Sequence, residues 1–193
     1  MTGKELLGLY EEAGALLQGH FQLRSGMHSN RYLQSALMLA RPDLAARAGA
    51  AVADLLRGDA PETILAPALG GMIIGHETAR ALGLRFLFAE RKGDEFLLRR
   101  GFRLGPGEYV SIVEDVVTTG GSLRQVISMA VALGARVVSA AALVDRSEGR
   151  ARFPVPFRSV ATLSLDVYPP DRCPVCAKGE PLRKPGSRGT QVG

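Results

Sequence analysis

The spacing of hydrophobic and polar positions changes along the chain, from helical periods near the N-terminus to short buried runs further on. Apolar residues at helical spacing follow Thr2 and Glu5, a pair typical of a capping box, and predict a first helix. A second helix is predicted from Pro42, since proline is favoured at the first helical position, to about Gly58. Beyond Gly58, short apolar runs and amphipathic stretches follow one another in turn.

This alternation predicts an α/β fold, with a central, mostly parallel sheet flanked by helices. The apolar runs that predict strands are residues 63–66, 85–88, 109–113, 136–144 and 160–167. The amphipathic stretches that predict helices are residues 73–82 and 123–133. Residues 91–108 interrupt the pattern with charged and glycine-rich turns, and we interpret them as a mobile hairpin or flap.

The length of 193 residues favours a single domain, which we place at residues 1–170. Residues 171–193 are rich in Pro, Gly, Lys and Arg and predict an irregular basic tail. The net charge is +5, and the tail contributes five cations against two acids, so the body is close to neutral. A near-neutral body argues against a nucleic-acid partner. The chain shows no run of eighteen apolar residues and no signal-like start, so we expect a cytoplasmic protein without a membrane partner.

Both cysteines of the chain lie in the tail, as Cys173 and Cys176. Two thiolates at this spacing supply half of a tetrahedral zinc site, and the other half requires a further Cys or His pair. The three histidines, His20, His28 and His76, are scattered along the sequence and offer no evident pair. We therefore favour two reduced thiols, with structural zinc or a redox role as alternatives.

The segment 113–122 carries the clearest chemistry, because it joins a hydrophobic strand to a helix. Two adjacent carboxylates, Glu114 and Asp115, are suited to accept hydrogen bonds from a ribose diol and to attract a hard divalent cation. The Thr-Thr-Gly-Gly-Ser run that follows offers backbone N–H groups and hydroxyls at a helix N-terminus, a cradle for a phosphate. No P-loop or dinucleotide-binding motif is present as a rival. The alternative is an acidic turn with a helix cap.

These residues resemble the signature of the type I phosphoribosyltransferase family, which binds 5-phosphoribosyl 1-pyrophosphate (PRPP). The resemblance implies that family's fold, Mg²⁺ as cofactor held at Glu114 and Asp115 mainly through substrate and water, and a catalytic role for Asp115. Residues 66–71 look like the family's pyrophosphate loop, or else form a simple strand-to-helix turn. The positions implied to bind PRPP are Glu114, Asp115, Val116, Val117, Thr118, Thr119, Gly120, Gly121, Ser122, Gly70 and Gly71.

The segment 20–34 resembles the N-terminal element of orotate phosphoribosyltransferases. The resemblance implies that the N-terminal residues, about 1–40, form a small hood. The resemblance implies that Arg24 lies near the PRPP phosphates and that Tyr32 helps to wall the base pocket; the alternative is a loop with one buried aromatic residue. Orotate carries a carboxylate, which a bidentate guanidinium binds well. Arg146, in an Asp-Arg pair after a predicted strand, matches the family's orotate-binding arginine, and Thr118 matches a second orotate contact. An exposed arginine after a strand is the alternative.

The flap departs from the family pattern. Only Arg91 and Lys92 align with it, the family's flap histidine is absent, and Arg99 or Arg100 takes the place of the usual flap lysine. These four cations are the predicted catalytic groups of the flap. The family resemblance also implies a homodimer, and its reaction converts orotate and PRPP to orotidine 5'-monophosphate and pyrophosphate. A purine-type phosphoribosyltransferase and a non-enzymatic PRPP-sensing regulator of the same fold remain as alternatives.

Overall fold

The computed structural model describes residues 1–23 and 25–185 of the chain. These residues form five α-helices and eight strands, and the strands make up two sheets. In chain order the elements are α1 (Gly3–Glu12), β1 (Leu16–Gln22), β2 (His28–Leu33), α2 (Ser35–Leu39), α3 (Pro42–Leu56), β3 (Thr63–Pro67), α4 (Gly71–Leu82), β4 (Arg85–Lys92), β5 (Glu95–Leu98), β6 (Tyr109–Val117), α5 (Gly121–Ala132), β7 (Arg136–Asp145) and β8 (Phe157–Thr162).

The central sheet has six strands in the order β5-β4-β3-β6-β7-β8. All neighbouring strands are parallel except β4 and β5, which form an antiparallel hairpin at one edge. The predicted α/β fold with a mostly parallel sheet is therefore confirmed. Because the chain passes from β3 to β4 on one side and later to β6 on the other, the strand order reverses between β3 and β6.

Each face of the sheet buries its own hydrophobic core. Successive side chains on a strand point to opposite faces, so Ile64 packs with α1 to α4 while Leu65 packs with α5. In the same way Val113 belongs to the first core and Ile112 to the second. Strands buried on both faces read as continuous apolar runs, which explains why the central strands were recognisable in the sequence.

Both predicted N-terminal helices form, but the first is shorter than predicted: Leu16 and Leu17, which the helical spacing included, begin β1. Thr2 and Glu5 make the reciprocal hydrogen bonds of a capping box at the start of α1, and α3 begins at Pro42. Between these helices β1 and β2 pair as a separate antiparallel hairpin. Residues 170–185 contain two short 3₁₀ turns, and Arg183 pairs with Phe21 of this hairpin. The end of the described chain thus rests against the N-terminal hairpin.

Several strand boundaries differ from those predicted. β4 continues to Lys92 because its last residues pair with β5. β6 continues to Val117 because Val116 and Val117 pair with β7, so both acids of the signature lie within the strand rather than beyond its end. The last strand covers Phe157–Thr162 instead of 160–167, since β7 stops at Asp145, opposite Thr162. The sequence underestimated the length of β4 and β6, because polar residues near their ends take part in strand pairing.

None of the helices among residues 1–23 and 25–185 has the length and apolar character needed to cross a membrane.

Close packing of α3 on α4 makes Gly49 a sensitive position. A Cβ at Gly49 would lie 2.5 Å from Cβ of Glu77 and 2.7 Å from its carbonyl carbon. Because backbone must move to make room, Gly49→Ala should lower the free energy of unfolding by about 1 to 3 kcal/mol. Gly8→Ala in α1 meets no atom within 4 Å and, as a matched control, should raise it by about 0.5 to 1 kcal/mol. Urea unfolding of both variants checks this; equal effects would contradict the packing explanation.

Candidate active site

Two loops flank the place where strand order reverses. One connects β3 to α4 at residues 68–70, and the other connects β6 to α5 at residues 118–120. β3 and β6 are adjacent and parallel, and their helices cover opposite faces of the sheet. A crevice between such loops is the usual ligand-binding position in an open parallel sheet.

The first loop and the first residue of α4 approach β6 closely, and both of the approaching residues are glycines. A Cβ at Gly70 would lie 2.8 Å from Oδ1 of Asp115, and one at Gly71 would lie 2.9 Å from the carbonyl oxygen of Val113. The peptide bond between Ala68 and Leu69 is cis. A simple strand-to-helix turn would not need glycine at both positions, so this contact favours a specific role for the loop beside Asp115.

Asp115 lies half-buried in the crevice, and its surroundings raise the pKa of its carboxyl group. Burial is the main cause, while hydrogen bonds from the backbone N–H groups of Val116 and Asp115 itself and from the Ser35 hydroxyl act in the opposite direction. The Ser35 hydroxyl lies 3.0 Å from the hydroxyl of Tyr10, whose pKa is also raised by burial. Residues of α1 and α2 thus hold Asp115 in place, a contact that sequence analysis did not identify.

Glu114 is more deeply buried than its neighbour, with 9% of its surface exposed. It stands opposite Ala142 in the ladder between β6 and β7. Strand geometry directs the side chains of Glu114 and Asp115 to opposite faces. The two carboxylates therefore occupy different surroundings although they are adjacent in sequence.

The second loop presents a helix N-terminus to the crevice. Thr118 and Thr119 are exposed, whereas Gly120 is buried in a left-handed conformation with φ of 76°. A Cβ at Gly120 would lie 2.8 Å from the ring of Phe153, so only glycine fits both the backbone angle and the space. α5 begins at Gly121, and its first-turn N–H groups, including that of Ser122, point out of the helix end. This arrangement suits a phosphate.

Arg146 and Tyr32 meet at the end of β7. The Arg146 N–H donates a 2.7 Å hydrogen bond to the carbonyl oxygen of Val117, which fixes the arginine beside the end of β6. Burial lowers the pKa of the guanidinium, and the nearby Tyr32 partly offsets this. Within the described residues, Nε of Arg146 is buried without a hydrogen-bond partner. A buried guanidinium with an unsatisfied N–H is costly unless an anion binds there.

Sequence analysis did not single out Asn30, which lies on β2 two residues before Tyr32. Its Oδ1 atom is also buried and without a hydrogen-bond partner in the part of the chain that the structure describes. Buried polar side-chain atoms are normally paired. An unpaired amide oxygen near Tyr32 was not predictable from sequence, because its burial depends on the hairpin's packing.

The flap cations lie beside the first loop. Arg91 and Arg100 line a cavity of about 540 Å³ together with Leu69 and Glu90. Glu90 accepts hydrogen bonds from Arg99, at 3.2 Å, and from Arg100. Two cations of the predicted set are therefore engaged by one carboxylate at the edge of this cavity.

Arg91 makes further contacts, and Lys92 and Arg24 are the remaining predicted positions. Arg91 donates a 3.1 Å hydrogen bond to Gln125 and lies 4.3 Å from the ring centre of Phe96. Lys92 is exposed at the end of β4. Arg24, predicted to lie near the PRPP phosphates, is outside the described residues.

The expectation that the histidines offer no partner for the cysteine pair is wrong. His20 and His28 lie against Cys173 and Cys176, and one potential ligand atom from each residue falls within 4.8 Å of the others. The residues converge because the C-terminal segment pairs with the hairpin that carries both histidines. The histidine pair was not recognised in the sequence because it lies about 150 residues before the cysteines.

Comparisons with known proteins agree with this geometry. Residues 37–164 match the model of the phosphoribosyl transferase domain. The chain is 46% identical over 190 residues to an orotate phosphoribosyltransferase of Heliobacterium modesticaldum, covering 97% of this chain and 100% of that protein. It is 48% identical over 186 residues to that of Thermotoga maritima, covering 96% and 98% respectively. The chain belongs to the orotate phosphoribosyltransferase family.

A solved structure from the same family has the same architecture. The orotate phosphoribosyltransferase of Aeropyrum pernix superposes with a TM-score of 0.72 at 28% identity, covering 82% of this chain and 93% of that one. The resemblance inferred from the signature segment is thereby confirmed. In this member of the orotate phosphoribosyltransferase family, Asp115, both loops and Arg146 lie at the same end of the sheet, with Tyr32 near the Arg146 guanidinium.

The raised pKa of Asp115 makes its charge a cost to the folded state. Above the folded-state pKa the carboxylate is charged in both states and lowers stability, whereas below the unfolded value of about 3.9 it is neutral in both and the cost is absent. Asp115→Asn should therefore have a higher free energy of unfolding than the parent at pH 7, and this advantage should shrink as the pH falls towards 4. Denaturant unfolding at several pH values measures it.

Asp166→Asn is the matched control, because Asp166 is exposed. It should change stability little at either pH. An Asp115→Asn variant that is less stable than the parent at pH 7, or whose advantage grows on acidification, would contradict a desolvated carboxylate at this position.

Proposed function

We propose that the chain transfers the ribose 5-phosphate group of PRPP to orotate, giving orotidine 5'-monophosphate and pyrophosphate for pyrimidine biosynthesis. The observation that carries this proposal is the buried, unpaired Nε of Arg146 beside Tyr32, next to a phosphate cradle. A planar cation that lacks its partner suits a planar carboxylate. Orotate has this group, whereas uracil and the purine bases lack it.

The crevice offers a separate position for each part of PRPP: the 5-phosphate, the ribose and the pyrophosphate. The N-terminus of α5 receives the 5-phosphate at Thr118, Thr119 and the N–H groups that follow Gly120. Asp115, beside Gly70, and the more deeply buried Glu114 are proposed to accept hydrogen bonds from the ribose diol. The loop at Gly70 and Gly71 receives the pyrophosphate, since its backbone has no side chain between it and Asp115.

The chemistry needs alignment and charge stabilisation rather than a protein nucleophile. As the bond from the anomeric carbon to pyrophosphate breaks and the bond to the orotate nitrogen forms, positive charge develops on the sugar ring. A carboxylate that is already desolvated and fixed, such as Asp115, stabilises such charge without reorganising. Arg146 and Tyr32 hold the base in line with the departing group.

The donor set of the crevice fits Mg²⁺. Glu114 and Asp115 offer carboxylate oxygens, the ligands that this hard cation prefers, and it keeps several waters when it binds substrate phosphates. When bound with PRPP, Mg²⁺ neutralises part of the pyrophosphate charge. The half-buried Asp115 would hold a cation by direct or water-mediated contact, and a neighbouring positive charge would oppose the rise of its pKa.

The flap cations are proposed to serve the leaving pyrophosphate. Arg91 and Arg100 border the cavity next to the loop that contains Leu69. Glu90 holds Arg99 and Arg100 through surface ion pairs, which are weak enough to exchange for a pyrophosphate. We further propose a homodimer in which the flap of one chain completes the site of the other.

The test of the orotate assignment is a base panel with the parent and an Arg146→Ala variant. The parent should convert orotate and show little turnover with uracil, adenine or hypoxanthine. Arg146→Ala should lower kcat/KM for orotate roughly 30- to 1,000-fold. This corresponds to a loss of transition-state stabilisation on the order of 2 to 4 kcal/mol, because a substrate charge is left unpaired. PRPP affinity should be unchanged, as measured by equilibrium binding. Arg150→Ala, at an exposed neighbouring position, is the matched control and should retain orotate activity.

A parent that prefers a purine base would contradict the orotate assignment but not phosphoribosyl transfer. A parent that binds PRPP and transfers it to no base would favour the regulatory alternative. Full orotate activity in Arg146→Ala would remove the proposed role of the guanidinium.

The shared-site proposal is tested by mixing two inactive variants, Arg99→Ala/Arg100→Ala and Asp115→Asn. In a mixed dimer with shared sites, one site receives both intact contributions, so random mixing should restore about a quarter of the parent's activity. Each variant alone serves as the control, and differently tagged chains verify that mixed dimers form. Verified mixed dimers without recovered activity would show that the flap acts within its own chain.

A further inference from the structure

Four side chains from opposite ends of the chain converge outside the crevice. His20 lies on β1, His28 on β2, and Cys173 and Cys176 on the segment that follows β8. The two histidines and Cys173 are each at least 95% buried, whereas Cys176 is exposed. One ligand atom from each lies within 4.8 Å of the other three. Two imidazoles and two thiols facing one point form a recognisable donor set for zinc.

Four of the six separations among these atoms are close to those of a tetrahedral centre. Zinc binds sulfur at about 2.3 Å and imidazole nitrogen at about 2.0–2.1 Å, so tetrahedral angles place its ligand atoms roughly 3.3 to 3.8 Å apart. Nε2 of His20 lies 3.5 Å from Sγ of Cys173, 3.4 Å from Sγ of Cys176 and 3.0 Å from Nδ1 of His28. Nδ1 of His28 lies 3.3 Å from Sγ of Cys176. The four atoms need only small adjustments to surround one ion.

The other nitrogen of His20 has the partner that a metal ligand requires. Nδ1 lies 2.8 Å from the carbonyl oxygen of Glu180, which can only accept, so Nδ1 carries the proton. In the neutral ring, Nε2 then presents its lone pair to the cluster. A hydrogen bond from the second imidazole nitrogen to a carbonyl is the common way in which proteins orient a ligating histidine.

We propose that His20, His28, Cys173 and Cys176 bind one structural Zn²⁺. Four protein ligands complete the tetrahedral shell and leave no position for substrate or water, which is the pattern of structural rather than catalytic zinc. The proposed ion is therefore separate from the Mg²⁺ chemistry of the crevice, and its test does not depend on the proposed enzymatic function.

The location indicates what the ion does. In the described residues 170–185, the C-terminal segment is mostly exposed and has no regular structure beyond two short 3₁₀ turns, so this part has little apolar surface to bury. It is attached to the hairpin by bridges of Arg183 with Phe21 and of Tyr168 with His28. Zinc ligation at Cys173 and Cys176 would fasten the segment between these two bridges, because metal binding supplies free energy that such a segment does not obtain from a core.

The first measurement is the metal content of the untagged, full-length protein, purified without chelator under reducing conditions. Elemental analysis should find about one zinc per chain. Replacement of zinc by Co²⁺ should give the visible absorption of a tetrahedral site together with thiolate-to-cobalt charge-transfer bands. Cys176→Ser and His28→Gln should lose most of the bound metal, whereas His76→Gln, at an exposed position outside the cluster, should keep it.

A second measurement tests the structural role without using catalysis. Trypsin should leave the C-terminal segment of the zinc-loaded protein intact and should cleave after Arg172, Lys178 or Arg183 once a strong chelator has removed the metal. Re-addition of Zn²⁺ should restore protection. Equal cleavage with and without metal would overturn the fastening role.

Three results would overturn the zinc site itself. One is a protein with far less than one zinc per chain both as purified and after anaerobic incubation with Zn²⁺. Another is a Cys173–Cys176 disulfide in the native protein that, after reduction, still takes up no zinc. The third is a different metal at this cluster. If the ligand variants do not fold, metal content and the Co²⁺ spectrum of the parent protein still decide the outcome.

Discussion

The reversal of strand order between β3 and β6 is the constraint on which the crevice depends. Adjacent parallel strands whose helices leave to opposite faces keep their following loops apart, and the space between the loops cannot be filled by either helix. Gly70 and Gly120 then bring the backbone close enough to form the walls. Two loops that are distant in the sequence thus form one crevice, because the sheet holds them at a fixed distance.

Two charged residues of the crevice, Asp115 and Arg146, are destabilised by their surroundings, and residues outside the sheet help to offset this for Asp115. Asp115 and Arg146 each lie in surroundings that disfavour their charged forms, as the directions of their pKa shifts show. Such groups lower the stability of the folded protein, and groups with perturbed pKa values are common at functional sites. The hydroxyls of Tyr10 and Ser35, from helices outside the sheet, support Asp115 and limit this cost. The first hydrophobic core therefore also determines the geometry of the site.

The N-terminal hairpin contributes residues both to the crevice and to the cluster of His20, His28, Cys173 and Cys176. Its second strand carries Tyr32 towards Arg146 and His28 towards the cysteine pair. Its first strand carries Phe21, whose ring centre lies 5.7 Å from that of Tyr32 and whose backbone pairs with Arg183. The C-terminal segment is thus connected, through backbone pairing and ring packing, to the hairpin that carries Tyr32.

The sequence by itself determined the order of helices and strands, the α/β class and the ribose phosphate segment, because each is encoded in contiguous residues: the capping box at Thr2, the apolar run before Glu114, the glycines at 120–121. Strand ends and the support of Asp115 by Ser35 depended on pairing between distant segments. Only the tertiary structure decided that Nε of Arg146 is buried, with Tyr32 near the guanidinium, and that His20 meets Cys173, 153 residues away. Such contacts follow from the packing of the hairpin on the rest of the chain, which no local pattern records.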